Sequence, residues 1–273
     1  MKLWYQSLTR ADAWKGYNRA LRALLERIKD PDTEIEVHGI AKRGGIGDQY
    51  RYLEFIEAQE VLENVERATR EGFDAFLIGN IGDPGIREAR ELTDIPVLGL
   101  CETSTHLASM MGANFALIAG NEKHATRIAE NVGRYGLREK LHAVRAMSVS
   151  RLVDLDAGFT DPEAGAALLG EFLAAAGGAA DAGAEVVIPA IGVLMVLLAE
   201  RGVHAVRGNV PVLNGVMALV KTAESVVCMR RLMGGNWTSK RATYAAPPAA
   251  QIGELRAAYG NIYPGVEPPD KKE

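Results

Sequence analysis

The chain has 273 residues, of which 48% are hydrophobic and 24% charged, and its formal net charge is −4. This composition is typical of a folded protein with its own core, and the lack of a basic excess argues against a nucleic-acid partner. The longest apolar run, residues 186–199, is broken by Pro189 and Gly192, so no membrane span is predicted. The start shows no signal-peptide pattern, and Cys101 and Cys228 provide no disulfide framework. We therefore expect a cytoplasmic protein.

Strand-like and helix-like stretches alternate along the chain. The predicted strands cover residues 2–6, 34–40, 75–78, 96–100, 115–119, 141–147, 186–188 and 212–213. The predicted helices cover residues 12–28, 57–71, 86–92, 102–111, 123–135, 162–182, 194–200 and 216–233. This alternation predicts an α/β fold with parallel sheets covered by helices on both faces. Ligands of such folds bind beyond the carboxyl ends of the strands.

An internal repeat predicts two similar doubly wound half-domains with a cleft between them. Residues 72–80 and 183–191 each start with glycine, carry an acidic residue two positions later and continue as an apolar strand. Asn80 and Ile191 end these strands and should face each other across the cleft. We assign residues 1–105 and 215–244 to the first half-domain, 106–214 to the second and 245–273 to a C-terminal tail.

The C-terminal tail differs in character from the rest of the chain. It contains five of the eleven prolines and ends in Asp-Lys-Lys-Glu. This pattern predicts a solvated segment. The alternative is that residues 252–263 dock on a neighbouring subunit.

Four stretches of the sequence resemble the Asp/Glu racemase superfamily, and within it the hydantoin racemase-like branch. They are Gly82-Asp-Pro-Gly85 with Ala89-Arg-Glu-Leu92, Ile95-Pro-Val-Leu-Gly-Leu-Cys-Glu102, Gly183-Ala-Glu-Val-Val-Ile188, and the segment from Val210 to Glu224. The resemblance implies a cofactor-independent enzyme that acts on a carbon beside a carboxylate or an amide carbonyl. It also implies a homo-oligomer and two cysteines, one on each side of that carbon.

The sequence departs from the family at both cysteine positions. Asn80 holds the first, and the repeat places the second at Ile191, or at Ala190 or Gly192 after a shift of one residue. An asparagine amide forms hydrogen bonds but does not titrate. Two-thiol racemisation is therefore disfavoured, and we expect hydrolysis, decarboxylation or isomerisation of a small carboxylate or hydantoin-like cyclic amide. The alternatives are a racemase or epimerase with other bases and a non-catalytic small-molecule binding protein.

Three residues are candidates for the chemistry. Cys101 and Glu102 stand where the strand 96–100 passes into a helix, whose N-terminus lowers the pKa of a thiol. Cys101 is thus a candidate base or nucleophile, or else a buried core residue. Glu102, at a position where the resemblance implies glutamate, is a candidate general base, or else a helix-start carboxylate. Asn80 is a candidate donor to a substrate oxyanion.

The predicted substrate-binding residues follow strands at the same edge: Gln6, Ser7, Ile81, Gly82, Thr103, Ser104, Ile191 and Gly192. Asp83 is interpreted as a turn residue, His106 as a structural hydrogen-bonding residue and Cys228 as part of a packed helix face. The loop 42–52 is interpreted as a mobile flap or interface loop. From it, Arg43, Tyr50 and Arg51 could reach an anionic substrate. No histidine or cysteine cluster has metal-ligand spacing, so neither a metal nor a cofactor is predicted.

Overall fold

The computed structural model describes residues 1–47, 50–260 and 262–263. Its strands are β1 (Lys2–Gln6), β2 (Glu34–His38), β3 (Ala75–Ile78), β4 (Val97–Gly99), β5 (Phe115–Ala119), β6 (Leu141–Ala146), β7 (Val187–Pro189), β8 (Ala205–Val206) and β9 (Val210–Pro211). Its α-helices are α1 (Lys15–Ile28), α2 (Arg51–Arg70), α3 (Ile86–Leu92), α4 (Leu100–Met111), α5 (Glu122–Arg134), α6 (Pro162–Asp181), α7 (Gly192–Glu200), α8 (Gly215–Leu232) and α9 (Ala249–Tyr259).

The strands form two parallel sheets, in the orders β2-β1-β3-β4 and β6-β5-β7, and β8 and β9 form a small antiparallel pair. The α/β fold with parallel sheets is therefore confirmed. In the first sheet Gln6 pairs with Ile78, and in the second Ile118 pairs with Pro189. Asn80 and Ile191 thus follow their paired residues by the same two positions. The division of the chain into half-domains stays a prediction.

Helix faces and caps explain why these elements form. Helix α1 buries Tyr17, Leu21 and Leu24 along one face, as the spacing of its apolar residues predicts. Helices α6 and α8 start at Asp161 and Asn214, whose side chains accept hydrogen bonds from backbone N–H groups of the first turn. The main hydrophobic core joins residues of both sheets, and a smaller one lies around Trp4. None of the described helices is long and apolar enough to cross a membrane.

The structure corrects two predictions about segments outside the sheets. Helix α2 starts at Arg51, six residues earlier than predicted, so the last two residues of the expected loop are helical. The tail contains helix α9, whose Ile252 is buried, and the Tyr263 hydroxyl donates a hydrogen bond to Glu91. These contacts anchor the tail to its own chain at two points, and most of residues 245–260 are exposed as the sequence predicts. The rest of the predicted tail lies outside the described residues.

Candidate active site

The ends of β3 and β7 meet over a cavity of about 50 Å³. A Cβ atom on Gly192 would lie only 3.3 Å from the carbonyl oxygen of Gly79, so the two turns are in direct contact. About 10–15 Å³ of such space admits one water molecule, so this volume suits a small molecule. The cavity is lined by Ser7, Leu8, Thr9, Trp14, Tyr17, Gly47, Gly79, Asn80, Ile81, His124, Leu152, Ile191, Gly192 and Val193.

The structure brings together five of the predicted site residues at this cavity: Ser7, Asn80, Ile81, Ile191 and Gly192. The Asn80 side-chain oxygen accepts a hydrogen bond from the Gly82 backbone N–H at 2.7 Å. This bond fixes the amide and leaves its Nδ2 donor for a ligand. Neither Asn80 nor Ile191 can remove a proton from carbon at these two strand ends.

Hydroxyl groups line the side of the cavity formed by β1 and α1. Ser7 Oγ and Thr9 Oγ1 lie 2.8 Å apart and share a hydrogen bond, and Thr9 donates a further one to Asn18 Oδ1 at 3.1 Å. Tyr17 is buried, and burial raises the pKa of its hydroxyl to about 12, although a hydrogen bond with Ser7 opposes the shift. Tyr17 is therefore a proton donor at neutral pH.

His124 is a site residue that the sequence analysis missed. It lies in the first turn of α5, where its backbone N–H donates to the Asn121 cap, and only 6% of the residue is exposed. Its Nδ1 atom has no hydrogen-bond partner, although the ring lines the cavity. Burial lowers the pKa of the imidazole to about 4, so the ring is neutral at physiological pH. The available signal was its place after β5, at the carboxyl edge of a parallel sheet.

Cys101 and Glu102 do not line this cavity. Cys101 is fully buried in the main core, and burial raises the pKa of its thiol well above the ordinary value instead of lowering it. The cost of burying a thiolate thus outweighs the effect of the helix N-terminus. Glu102 forms an ion pair with Arg90, in which Arg90 Nη1 donates to Oε1 at 3.0 Å. Cys101 thus packs in the core and Glu102 pairs with Arg90, and the catalytic roles of both stay predictions.

Asp83 is a buried helix cap as well as a turn residue. Its carboxyl accepts hydrogen bonds from the backbone N–H groups of Cys101 and Glu102, at 3.0 and 2.8 Å, and from the Tyr135 hydroxyl at 2.6 Å. Burial raises its pKa to about 7, although these three donors favour the ionised form. The geometry of this turn is thus secured from α4 and α5.

Four further predicted binding residues lie elsewhere. Gln6 is buried and accepts hydrogen bonds from Trp4 Nε1 and Asn64 Nδ2. Ser104 is buried in α4, where its hydroxyl donates to the Leu100 carbonyl, and Thr103 is buried in the same turn. Gly82 lines an adjoining space instead of the cavity itself.

Two lesser interpretations have opposite outcomes. His106 has a structural contact, since its Nδ1 atom lies 2.8 Å from the carbonyl oxygen of Glu102. Cys228 was placed on a packed face of its helix, but it is exposed. Among the described residues, no group of three or more histidine, cysteine, aspartate or glutamate side chains is arranged to hold a metal ion.

The described part of the predicted flap is held in place over the cavity. Trp14 Nε1 donates to the Gly45 carbonyl at 2.8 Å, and the Gly45 N–H donates to Glu57 at 2.6 Å. The carboxylate of Glu60 accepts hydrogen bonds from two more backbone N–H groups, those of residues 41 and 42. Hydrogen bonds to Trp14 and α2 therefore hold this segment, and its Gly47 lines the cavity. Asp48 and Gln49 lie outside the described residues.

The three residues proposed to reach a substrate from that loop do not line the cavity. Arg51 forms an ion pair with Glu130 at 2.7 Å, and the Lys123 ammonium lies 5.0 Å from the centre of the Tyr50 ring. Arg43 is exposed and lines neither the cavity nor the adjoining spaces described here.

Two parallel sheets covered by helices, with a small cavity at their strand ends, define the class of this protein. The family model for Asp/Glu/Hydantoin racemase matches residues 15–223. The hydantoin racemase of Pseudomonas sp. (strain NS671) is 33% identical over 216 residues, which are 79% of this chain and 81% of that protein. The hydantoin racemase of Rhizobium meliloti is 31% identical over 202 residues, 74% of this chain and 75% of that protein.

A solved structure agrees with these sequence matches. The allantoin racemase from Klebsiella pneumoniae has a TM-score of 0.71 and 24% identity, covering 90% of this chain and 94% of that chain. The chain belongs to the Asp/Glu/hydantoin racemase family, as its resemblance implied. These relatives are racemases, so the comparisons give no support to the earlier preference for hydrolysis or decarboxylation.

Proposed function

We propose that the protein is a racemase of a small hydantoin-like cyclic ureide that works without thiols. Such a ring has a carbon–hydrogen bond beside a carbonyl group. Removal of that proton gives a planar enolate, whose charge rests mainly on oxygen. Family membership supports proton transfer at carbon, and the size of the cavity suits a small ring.

The observation that carries the proposal is that His124 lines this cavity and that its buried Nδ1 atom has no hydrogen-bond partner. A buried polar atom without a partner costs free energy, and a ligand that supplies the partner recovers it. A neutral imidazole can accept a proton from the ring carbon, and the Asn80 amide can donate to the enolate oxygen. His124 thus takes over the role of base from the missing thiols.

Tyr17 is placed to return a proton to the substrate from a different side of the cavity than His124. His124 borders both the cavity and the space that leads outwards, whereas Tyr17 borders only the inner cavity. Its hydroxyl is protonated at neutral pH because burial raises its pKa to about 12. We therefore propose that His124 removes the proton and Tyr17 delivers one to the opposite face. The same high pKa makes Tyr17 a weak acid, so delivery of the proton, and with it inversion, should be slower than isotope exchange. Solvent then takes the proton from the imidazolium of His124 and returns one to the tyrosinate, which restores both groups.

The experiment follows one enantiomer of 5-methylhydantoin in deuterated water at pD 6.5, with an enzyme-free blank. Proton NMR measures the loss of the ring-carbon hydrogen, and chiral chromatography measures inversion. We expect both to exceed the blank. The Tyr17→Phe variant should keep most of the exchange and lose at least about tenfold in inversion, because general acid catalysis contributes at least that much.

Two outcomes would contradict the proposal. Binding of the hydantoin by calorimetry without any exchange above the blank would indicate a non-catalytic binding protein. Equal loss of exchange and inversion in Tyr17→Phe, with unchanged unfolding by urea, would remove Tyr17 from the proposed second face.

A further inference from the structure

A row of connected spaces leads from the cavity to the protein surface. The middle space shares Asn80 and His124 with the cavity, and it shares Glu54, Gly82 and Arg127 with an outer pocket of about 340 Å³. A substituent on a ring held beside Asn80 would therefore extend towards Arg127.

Arg127 lies one turn beyond His124 on α5, so both side chains project from the same face of the helix. Its guanidinium forms an ion pair with Glu54, and both side chains are largely buried, with 16% and 9% of their surface exposed. Gly82 makes room for this pair. A Cβ atom there would lie 2.9 Å from both Arg127 Nη2 and the Asn80 amide oxygen, so the guanidinium sits beside the turn that carries Asn80.

The charges around the outer pocket leave positive groups without partners. Four arginines line it, namely Arg51, Arg87, Arg127 and Arg134, together with the carboxyl groups of Glu54, Asp83, Glu88 and Glu130. Three of these carboxyl groups are engaged: Glu54 with Arg127, Glu130 with Arg51, and Asp83 with the start of α4. Among the described residues, Arg87 and Arg134 have no ion-pair partner within 4.0 Å.

Neighbouring cations act on Arg127 as well. Burial first, and then the charges of Arg51 and Arg134, lower the pKa of its guanidinium to about 10. It remains a cation at neutral pH, paired with Glu54 and close to the charges of Arg51 and Arg134. A further anion in the outer pocket would be attracted by these neighbouring cations. The planar guanidinium can hold Glu54 with one edge and a second carboxylate with another.

We propose that Arg127 binds a carboxylate carried on the side chain of the substrate. The substrate class is then a hydantoin-like ring with an acidic substituent, whose ring occupies the cavity and whose anion occupies the outer pocket. This inference rests on the proposed function for its ring site, but the anion site can be tested by binding alone.

The test compares hydantoin-5-acetate with hydantoin-5-acetamide, which match in size and differ in charge. Calorimetry should show that the native protein binds the acetate roughly 10- to 100-fold more tightly, as expected for a hydrogen bond to a charged group. Arg127→Met should remove this preference and leave the affinity for the acetamide within about threefold. Arg127→Lys should retain part of the preference for the acetate, because lysine keeps the positive charge but lacks the forked donors of the guanidinium.

The controls address folding and non-specific charge effects. Glu54→Gln with Arg127→Met removes both members of the ion pair, so no charge is left buried alone. Arg207→Met removes an arginine from an exposed pair with Asp181 and should not change the preference. Equal affinity of the native protein for both compounds, or a preference that survives in the double variant, would overturn the anion site. Exchange that fails while the preference holds would instead overturn the proposed racemisation alone.

Discussion

Two regions at the carboxyl ends of the strands differ in whether their buried polar groups are hydrogen-bonded. At the start of α4 both carboxyl groups are paired: Asp83 accepts three hydrogen bonds, and Glu102 forms an ion pair with Arg90. In the cavity between β3 and β7, the Nδ1 atom of His124 has no partner, and Asn80 is anchored only through its oxygen.

This difference separates structural polar groups from groups that await a ligand. Native proteins rarely leave a buried polar atom unpaired, because its desolvation costs about 1–3 kcal/mol. A region that satisfies every group is stable by itself, whereas one that leaves donors and acceptors open gains from binding. The comparison therefore favours His124 and Asn80 over Cys101 and Glu102 as the chemically active residues.

The largest effect should come from His124. Replacing it with glutamine keeps a polar side chain but removes the base, so hydrogen exchange at the ring carbon should fall by about 10²–10⁴-fold. Urea unfolding should change little. The matched control is His106→Gln, which replaces an exposed histidine of α4 outside the cavity, and its exchange rate should match the native one. Native exchange rates in His124→Gln would show that His124 is not the base.

Asp83 should dominate stability in the other region. Asp83→Ala leaves two backbone N–H groups and the Tyr135 hydroxyl without their acceptor, so the free energy of unfolding should fall by roughly 3 kcal/mol or more. Urea denaturation measures this loss. Asp161→Ala, which removes the exposed cap of α6, is the control and should cost only about 1 kcal/mol. Similar losses in the two variants would mean that the three buried hydrogen bonds add nothing to an ordinary cap.

The two regions should also respond to pH with opposite signs. The unfolded His124 takes up a proton near pH 6.5, but the folded one only near pH 4, so it lowers stability as the pH falls through that window. Asp83 keeps its proton up to about pH 7 in the folded state but only to about 3.8 in the unfolded chain. It therefore lowers stability as the pH rises between those values.

Between pH 4 and 6.5 these contributions oppose each other, and removing either group should expose the other. His124→Gln should lose up to about 1.4 kcal/mol of unfolding free energy per unit of rising pH, and Asp83→Asn should gain a similar amount. Urea unfolding measured from pH 4 to 6.5 tests both slopes. If the free energy of unfolding changed with pH in the same way in both variants, the burial of these two groups would not control the pH dependence of stability between pH 4 and 6.5.

Much of the fold was predictable because the spacing of apolar residues within short segments indicates helices and strands. The predicted bounds for β3, α3 and β5 match the structure, and the repeat placed Asn80 and Ile191 at equivalent strand ends. The early start of α2 was missed, since its first turn exposes Tyr52 and Phe55 and lacks an apolar face. Helix α9 was missed because the prolines around it obscured a short helix that tertiary packing stabilises.

The site was harder to predict because function depends on which polar groups remain unpaired after folding. Nothing local in the sequence distinguishes Glu102, which Arg90 neutralises from twelve residues away, from a free carboxylate. The same holds for His124, whose neighbours Asn80 and Ile191 are distant in sequence. Pairing is a property of the tertiary structure, so only the replaced cysteine positions could be located from motifs.

The smallest expected effect is the sharpest test of Cys101. Cys101→Ala removes a fully buried sulfur from the core, so the free energy of unfolding should fall by about 1 kcal/mol, as for a small cavity. The exchange rate at saturating hydantoin should stay within about twofold of the native rate, because the thiol is un-ionised and lies outside the cavity. Val132→Ala shortens a fully buried core side chain of α5 and therefore provides a control for destabilisation alone. A loss of exchange in Cys101→Ala that Val132→Ala does not share would return the thiol to the mechanism and reverse the ranking of the two regions.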